Sequence, residues 1–343
     1  MSALQDALAR LALGCDLTGE EMHGALSAVM KGDGAPAQIG AFLMGLRIKG
    51  ESVEEIVAAA EVMRDLSHAV VVSDRRHLID TCGTGGDGAS TFNISTATAL
   101  VCACAGAKVA KHGNRSVSSR SGSADVLEAA GVVLTLSPEQ VGRCIDELGV
   151  GFLFAPRHHE AMKYASGVRR DLGIRTLFNL LGPLTNPARA PRQLVGVYAG
   201  SLLETFARVL KALGSEHVLV VHSDDGLDEI SPAATTEVCE LKGGQLTRYR
   251  LRPSDFGLPE GTLADLKVAD AQESLAILEA VCSGHGSSAA ATTAVALNAG
   301  AALYVAGLAA GLADGVVLAQ KVLQEGRALA KLQELVAFTR AFA

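Results

Sequence analysis

The sequence has no tryptophan, and Phe, Trp and Tyr together make up only 4% of its 343 residues. With so few large rings, the interior must be filled by small side chains, and the abundant Ala together with 37 Gly points to closely packed helices. The seven cysteines (15, 82, 102, 104, 144, 239 and 282) are scattered and odd in number, with no C-x-x-C pair and no His at zinc-ligand spacing. That pattern excludes a disulfide scaffold and a zinc ribbon, and it reads as reduced, mostly buried thiols of a cytoplasmic protein. The N-terminal "MSALQDALARLALGC" lacks a basic region followed by an apolar run and a small-residue cleavage site, so it is not a secretory signal. There is no long block of like charge, and the net charge of -7 argues against a general nucleic-acid binder while allowing a local basic patch. Asp, Glu, Lys and Arg are all missing between Ser283 and Ala313, a stretch long enough to span a bilayer. Its richness in Ala, Gly, Ser and Thr, with Asn298 in the middle, instead predicts a buried helix of a large soluble core.

What is present describes a globular chain, 49% hydrophobic and 20% charged, long enough for two domains. The first seventy or so residues read as helices only. Thr18 with Glu21 and Ser52 with Glu55 form capping boxes, Met22, Leu26, Val29 and Met30 share one helical face, and a third helix ends at Gly50. Strands then alternate with helices: 77–82, 108–111, 148–155, 193–198 and 217–223 are the predicted strands. This spacing predicts a largely parallel sheet covered on both faces, with "EVCEL" and "QLTRYRL" as an attached antiparallel hairpin. The C-terminal part is helical again.

The stretch "GTGGDGASTFNIST", Gly83 to Thr96, joins a strand to a helix N-terminus, where free backbone N–H groups and the helix dipole favour an anion. Gly83, Gly85 and Gly88 satisfy G-x-G-x-x-G, a weak pattern that a plain tight turn also produces. A dinucleotide site would need an acidic residue at the end of the next strand, where Lys111 and His112 stand instead; Arg115 keeps an NADP-type alternative open. A P-loop fails because no Gly-Lys-Ser/Thr follows.

The next strand end carries a second candidate cradle. Lys108, Lys111, His112, Arg115 and Arg120 lie within thirteen residues, interleaved with Asn114, Ser116, Ser118, Ser119, Ser121, Gly122 and Ser123. Two anion loops on successive strand ends imply a ligand with phosphates at two ends. "HSDDGLDEIS" adds Asp224, Asp225, Asp228 and Glu229 after a third strand; these are either solvated loop carboxylates or a site for Mg²⁺ shared with substrate phosphate.

The motifs "GTGGDG", "NIST", "KHGNRSVSSRSGSADVLEAAG", "VRRDLGIRTLFNLLGPLTNP" and "DGLDEIS" occur in the order and spacing of the anthranilate phosphoribosyltransferases. The chain resembles that family over nearly its whole length. The resemblance implies an α/β protein in which a small all-helical N-terminal domain accompanies a large α/β domain with a central, mostly parallel sheet flanked by helices. The small domain is 1–70, joined by roughly 160–187; the large, phosphoribosyl-binding domain is 71–159 and 188–343. The implied activity is Mg²⁺-dependent transfer of the phosphoribosyl group of 5-phosphoribosyl 1-pyrophosphate (PRPP) to the amine of anthranilate, the second step of tryptophan biosynthesis from chorismate, in a cytoplasmic homodimer. By the same resemblance PRPP is held by Gly83, Gly86, Asp87, Thr91, Asn93, Ile94, Ser95 and Thr96. Lys111, His112, Gly113, Asn114, Arg115, Ser116, Val117, Ser118, Ser119 and Ser123 complete that site. Ser95, Asp228 and Glu229 correspond to the metal positions, with two Mg²⁺ per subunit when PRPP is bound, and Gly83, Asn114 and Arg169 to the anthranilate contacts. No catalytic base is assigned. No nucleic acid and no membrane are implied as partners.

Two other readings share the fold: a pyrimidine nucleoside phosphorylase, and a non-catalytic nucleic-acid-binding relative. The chain departs from many family members at Glu160, Tyr164 and Gly167, beside the expected anthranilate channel, and in "AAATTAVALNAG" near the C-terminus.

Overall fold

Capping decides where the first helices begin. In the computed structural model, which describes residues 2–116 and 121–342, α1 (Ala3–Ala12), α2 (Gly19–Lys31), α3 (Pro36–Lys49) and α4 (Val53–Asp65) open the chain. Thr18 and Ser52 each accept a bond from the N–H three residues on, and Glu21 and Glu55 return it, so both expected capping boxes are present. Met22, Leu26, Val29 and Met30 of α2 are buried, and they join a cluster with Phe42, Leu43, Leu46 and Ile56 from α3 and α4. Glu55 is fully buried yet satisfied: it accepts from Leu17 N at 2.9 Å, Ser52 N at 2.7 Å and Lys49 Nζ at 2.8 Å.

The period then changes from helix to strand. The strands are β1 (Leu78–Gly83), β2 (Lys108–Gly113), β3 (Val150–Phe154), β4 (Arg192–Gly196), β5 (His217–Ser223), β6 (Thr236–Lys242) and β7 (Gln245–Leu251). They form one sheet in the order β3-β2-β1-β4-β5-β6-β7, parallel from β3 through β5 and closed by the antiparallel hairpin β6–β7. Each expected strand is present within a few residues. Along β4 and β5, Leu194, Leu219 and Val221 face one apolar cluster, while Val195, Val218 and Val220 face the other. This alternation is why both faces need helical cover. One face takes α5 (Ile94–Cys104), α12 (Ala271–Cys282), α13 (Ala289–Val305), α14 (Leu312–Gln324) and α15 (Arg327–Arg340); the other takes α11 (Leu203–Ala212) together with α4.

The apolar stretch from Ser283 resolves as expected into a core helix. Of the 17 residues of α13, 14 are buried, and among the described residues no helix is long and apolar enough to cross a membrane. Two helices, α6 (Ser123–Ala129) and α7 (Pro138–Leu148), link β2 to β3. After β3 the chain leaves the sheet through α8 (Ala155–His158), α9 (Lys163–Leu172) and α10 (Leu177–Leu184) before returning at β4. Ala165, Leu177, Leu180 and Leu181 from this excursion share the cluster of the N-terminal helices.

The strand order carries the functional consequence. The chain steps outward from β1 to β3, then returns to the other side of β1 at β4. That reversal opens a crevice beyond the C-terminal ends of β1 and β4, where ligands of parallel sheets bind.

Candidate active site

Three connections meet at that crevice: 84–93 after β1, the described residues 114–116 and 121–122 after β2, and 224–231 after β5. The first is built on backbone. Gly85 and Gly86 have φ of 68° and 77°, a left-handed conformation that side-chain-bearing residues rarely adopt. The closest approach is between loops: a Cβ at Gly83 would stand 2.4 Å from Asp228 Oδ2, and one at Gly196 only 1.5 Å from the Asp228 carbonyl oxygen. Glycine at these two strand ends therefore lets the acidic loop lie directly on β1 and β4.

Asp228 is 8% exposed and accepts from Gly85 N at 2.7 Å. Burial raises its pKa above the usual carboxylate range, and the nearby charge of Asp87 raises it further. Burial likewise raises Glu229, reinforced by Asp228, with Lys111 opposing. Three carboxylates thus crowd a glycine loop with one ammonium to offset them, an arrangement that fits a bound dication. Among the described residues no three His, Cys, Asp or Glu groups could hold a metal unaided. Mg²⁺ is typically bound by one or two carboxylates plus substrate phosphate, so the donor set fits a metal that arrives with its ligand.

Lys111 is 3% exposed and donates to the Thr81 carbonyl at 2.7 Å and to Ser95 Oγ at 3.0 Å, which places Ser95 between the lysine and the acidic pair. Burial lowers its pKa. Ser95 and Thr96 stand in the first turn of α5, whose leading N–H groups have no acceptor within the helix. Asn93 stands at the N-cap position of that helix and ties the two loops together, its Nδ2 donating to Ser121 O at 3.2 Å while Thr96 Oγ1 donates to its Oδ1 at 2.9 Å. Thr91 forms an isolated bridge to Lys267, which pins the far end of the glycine loop.

The second cradle is divided. Lys108, grouped with its basic residues on sequence, begins β2 at the N-terminal end of the strand and donates to the carbonyls of Ile145 and Asp146 at 3.2 and 2.5 Å, closing α7. It is not part of the crevice, because a six-residue strand separates it from the loop. The Arg115 guanidinium is bound in bidentate fashion by Glu128, at 2.7 and 2.9 Å, and touches Asp125 at 3.2 Å. Asp125 also accepts from Ser116 N and Gly122 N, closing the loop onto the start of α6. Gly113 leaves room for Ser123, whose Oγ would meet a Cβ there at 2.3 Å. Val117, Ser118, Ser119 and Arg120 lie outside the described residues.

Of the four acidic residues after β5, only Asp228 and Glu229 approach the glycine loop. Asp224 pairs with Arg250, and Asp225 accepts from Ser231 Oγ at 2.6 Å.

Two buried histidines form a pair. His112 and His159 stand with ring centroids 5.2 Å apart. Burial drives the His112 pKa well below its ordinary value and that of His159 down to about 4, so both imidazoles are neutral at pH 7. His112 Nε2 and both ring nitrogens of His159 are buried without a protein partner. His158 turns the other way and donates from Nδ1 to His68 O at 2.9 Å, which removes it from any metal pair with His159. Arg169, on α9, is half-buried with its guanidinium 5.2 Å from the Phe178 ring, and burial lowers its pKa. Asn114 is exposed at the mouth of the second loop.

The "Glycosyl transferase family, helical bundle domain" model matches residues 5–67, and the "Glycosyl transferase family, a/b domain" model matches residues 75–329. An anthranilate phosphoribosyltransferase of Marinomonas sp. is 58% identical over 95% of this chain and 94% of its own length. This chain belongs to the anthranilate phosphoribosyltransferase family. The crystal structure of the Thermus thermophilus member superposes with a TM-score of 0.92 at 43% identity, covering 99% of this chain and 100% of that one. The Saccharomyces cerevisiae member, solved in complex with PRPP and Mg, has a TM-score of 0.89 at 27% identity over 98% of both chains.

Several residues position this family site through contacts that the sequence did not show. Asp80, fully buried in β1, accepts from His112 N at 3.1 Å and from Asn186 Nδ2 at 2.7 Å, so the "LTNP" asparagine orients the carboxylate that anchors β2. Asn298 holds Ile230 by both backbone groups, accepting from N at 3.0 Å and donating to O at 2.9 Å. A lone Asn in an apolar helix was the available signal for this contact. Of the three residues expected to depart from many family members, Tyr164 packs over Gly32, Glu160 stands 3.7 Å from His68, and Gly167 has open space about it.

Proposed function

We propose that this chain transfers the 5-phosphoribosyl group of PRPP to the amine of anthranilate, releasing pyrophosphate and N-(5-phosphoribosyl)anthranilate. The observation that carries the reading is the convergence of Asp228 and Glu229 on a glycine loop backed by Lys111, in a chain of this family. Displacement at the anomeric carbon builds oxocarbenium character on the ribose, so the departing charge must be neutralised. Mg²⁺, which Asp228, Glu229 and Ser95 would hold together with pyrophosphate oxygens, supplies part of that neutralisation when bound. Two ions per subunit are part of this proposal. The N–H groups of 83–88 and of the α5 N-terminus cradle one end of PRPP, with Asp87, Thr91, Asn93, Ile94 and Thr96 along the loop. The segment Lys111–Ser119 and Ser123 receive the rest.

Anthranilate is an arylamine, already neutral near pH 7, so the chain has to orient it and exclude water more than activate it. Arg169 is assigned to its carboxylate, with Gly83 and Asn114 completing the contact. The neutral imidazoles of His112 and His159 line the approach without competing for that carboxylate as cations.

The division into a helical unit 1–70 joined by 160–187 and an α/β unit 71–159 with 188–343 belongs to this reading. So does a cytoplasmic homodimer through the helical units, on whose surface Leu13 and Ile48 are each 79% exposed. The test is anthranilate fluorescence with PRPP and Mg²⁺ omitted in turn. Loss of signal only when both are present is expected; phosphate-dependent cleavage of uridine or thymidine without PRPP would overturn the proposal.

A further inference from the structure

The glycine loop is held from outside the α/β unit by a residue that no motif reading assigned. Arg175 sits in the short connection between α9 and α10, and its guanidinium donates to the carbonyl oxygen of Gly86. It lies 4.0 Å from the centroid of the Tyr198 ring, a stacking distance for a planar cation. Tyr198, just past β4, is itself fixed to the same loop, because its N–H donates to Thr84 Oγ1 at 3.0 Å. Thr84 N in turn donates to Gly196 O at 2.9 Å. Thr84, Tyr198, Arg175 and Gly86 therefore close a ring of contacts through three separate chain segments.

We propose that Arg175 is a positioning residue that sets the PRPP loop in its binding conformation through the Gly86 carbonyl. Gly85, Gly86 and Gly88 carry no side chains to hold the loop, and all three have positive φ, so their peptide planes turn easily unless something outside fixes them. In a trans peptide the C=O and the following N–H point in opposite directions. Drawing the Gly86 oxygen toward Arg175 thus turns the Asp87 N–H to the other side of the loop, and it fixes the start of the residue whose carboxylate stands near Asp228. The device also joins the two substrate sites: Arg175 is six residues beyond Arg169, the proposed anthranilate contact, and reaches the loop proposed for pyrophosphate.

The inference rests on the proposed phosphoribosyl transfer, and the experiment separates the two. Arg175→Ala, Arg175→Lys and Tyr198→Leu are compared with wild type by steady-state kinetics in PRPP and anthranilate. Amide hydrogen exchange of residues 83–89 is measured in the ligand-free protein alongside. Arg175→Ala is expected to raise the PRPP KM about tenfold, the scale of one charge-assisted hydrogen bond, with the anthranilate KM within about twofold and exchange of the loop accelerated. Arg175→Lys recovers part of the loss, because an ammonium still donates to Gly86 O, while Tyr198→Leu shifts both readouts the same way by less. Unchanged loop exchange and an unchanged PRPP KM in Arg175→Ala overturn the inference. So does a uniform fall in both substrates' kcat/KM that tracks a lowered Tm, which would mark a merely structural contact. Wild type that fails to turn over PRPP and anthranilate refutes the transferase reading and with it the role in PRPP binding; the exchange data then report the loop contact alone.

Discussion

Asn298→Ala tests whether the acidic pair owes its position to the core helix behind it. Asn298 is fully buried in α13 and serves Ile230 N–H and C=O at 3.0 and 2.9 Å, with a third bond from Nδ2 to Ala294 O at 2.9 Å. Ala294 O has a helical partner as well, so its loss matters little. The two Ile230 groups lose their side-chain partner where water has no easy access, and each such orphan costs roughly 1–3 kcal/mol. The sum, about 2–6 kcal/mol, is a large share of the roughly 5–15 kcal/mol that holds a typical protein folded. A fall in Tm of about 3–8 °C is expected by differential scanning fluorimetry. Ile230 directly follows Glu229, so the released loop should also hold Mg²⁺ less well, and the Mg²⁺ concentration for half-maximal turnover should rise roughly tenfold, equivalent to about 1.4 kcal/mol. Asn298→Asp, which keeps an acceptor but loses the donor to Ile230 O, should fall at least as far in Tm. An unchanged Tm together with an unchanged Mg²⁺ requirement in Asn298→Ala would refute the reasoning.

Other expectations are independent of that helix. Asp228→Asn combined with Glu229→Gln should abolish Mg²⁺-dependent turnover while the protein stays folded, since it removes two crowded charges; Mg²⁺ titrations that match wild type would sink the metal assignment. Arg169→Ala should raise the anthranilate KM and spare PRPP binding, and equal losses for the two substrates in steady-state assays would count against the assignment. Glu55→Ala strips the buried Lys49 ammonium of one partner and two backbone N–H groups of their acceptor. It should cost about 3 kcal/mol or more in urea denaturation, with Asp16, 2.6 Å from Lys49 Nζ, limiting the damage. A midpoint within error of wild type would contradict it.

The local layout was legible from residue order. Thr18, Ser52 and Ser137 cap helices because a short hydroxyl followed three residues later by Glu or Gln satisfies the same amides in any setting. Period-two burial along β4 and β5 and the turn "KGG" between β6 and β7 are likewise local facts. The error over Lys108 shows the limit. Sequence proximity placed it beside Lys111, but a strand of six residues carries them toward opposite ends of the strands. Arg115 was singled out for its charge, while the carboxylates that occupy it, Asp125 and Glu128, stand on α6, the helix that follows the loop.

By itself, the sequence determined which elements form and which family motifs they carry, because capping, periodicity and glycine at loop positions act over a few residues. Only the tertiary structure decided which charges meet. The reversal of strand order between β3 and β4 brings Asp228 onto Gly83 and Gly196, and the excursion through α9 and α10 lays Arg175 on Gly86. Those contacts join residues 32 to 145 positions apart, and no local preference encodes a partner at that distance. The single seven-stranded sheet places them side by side, and burial there raises the energetic stakes of every unpaired charge.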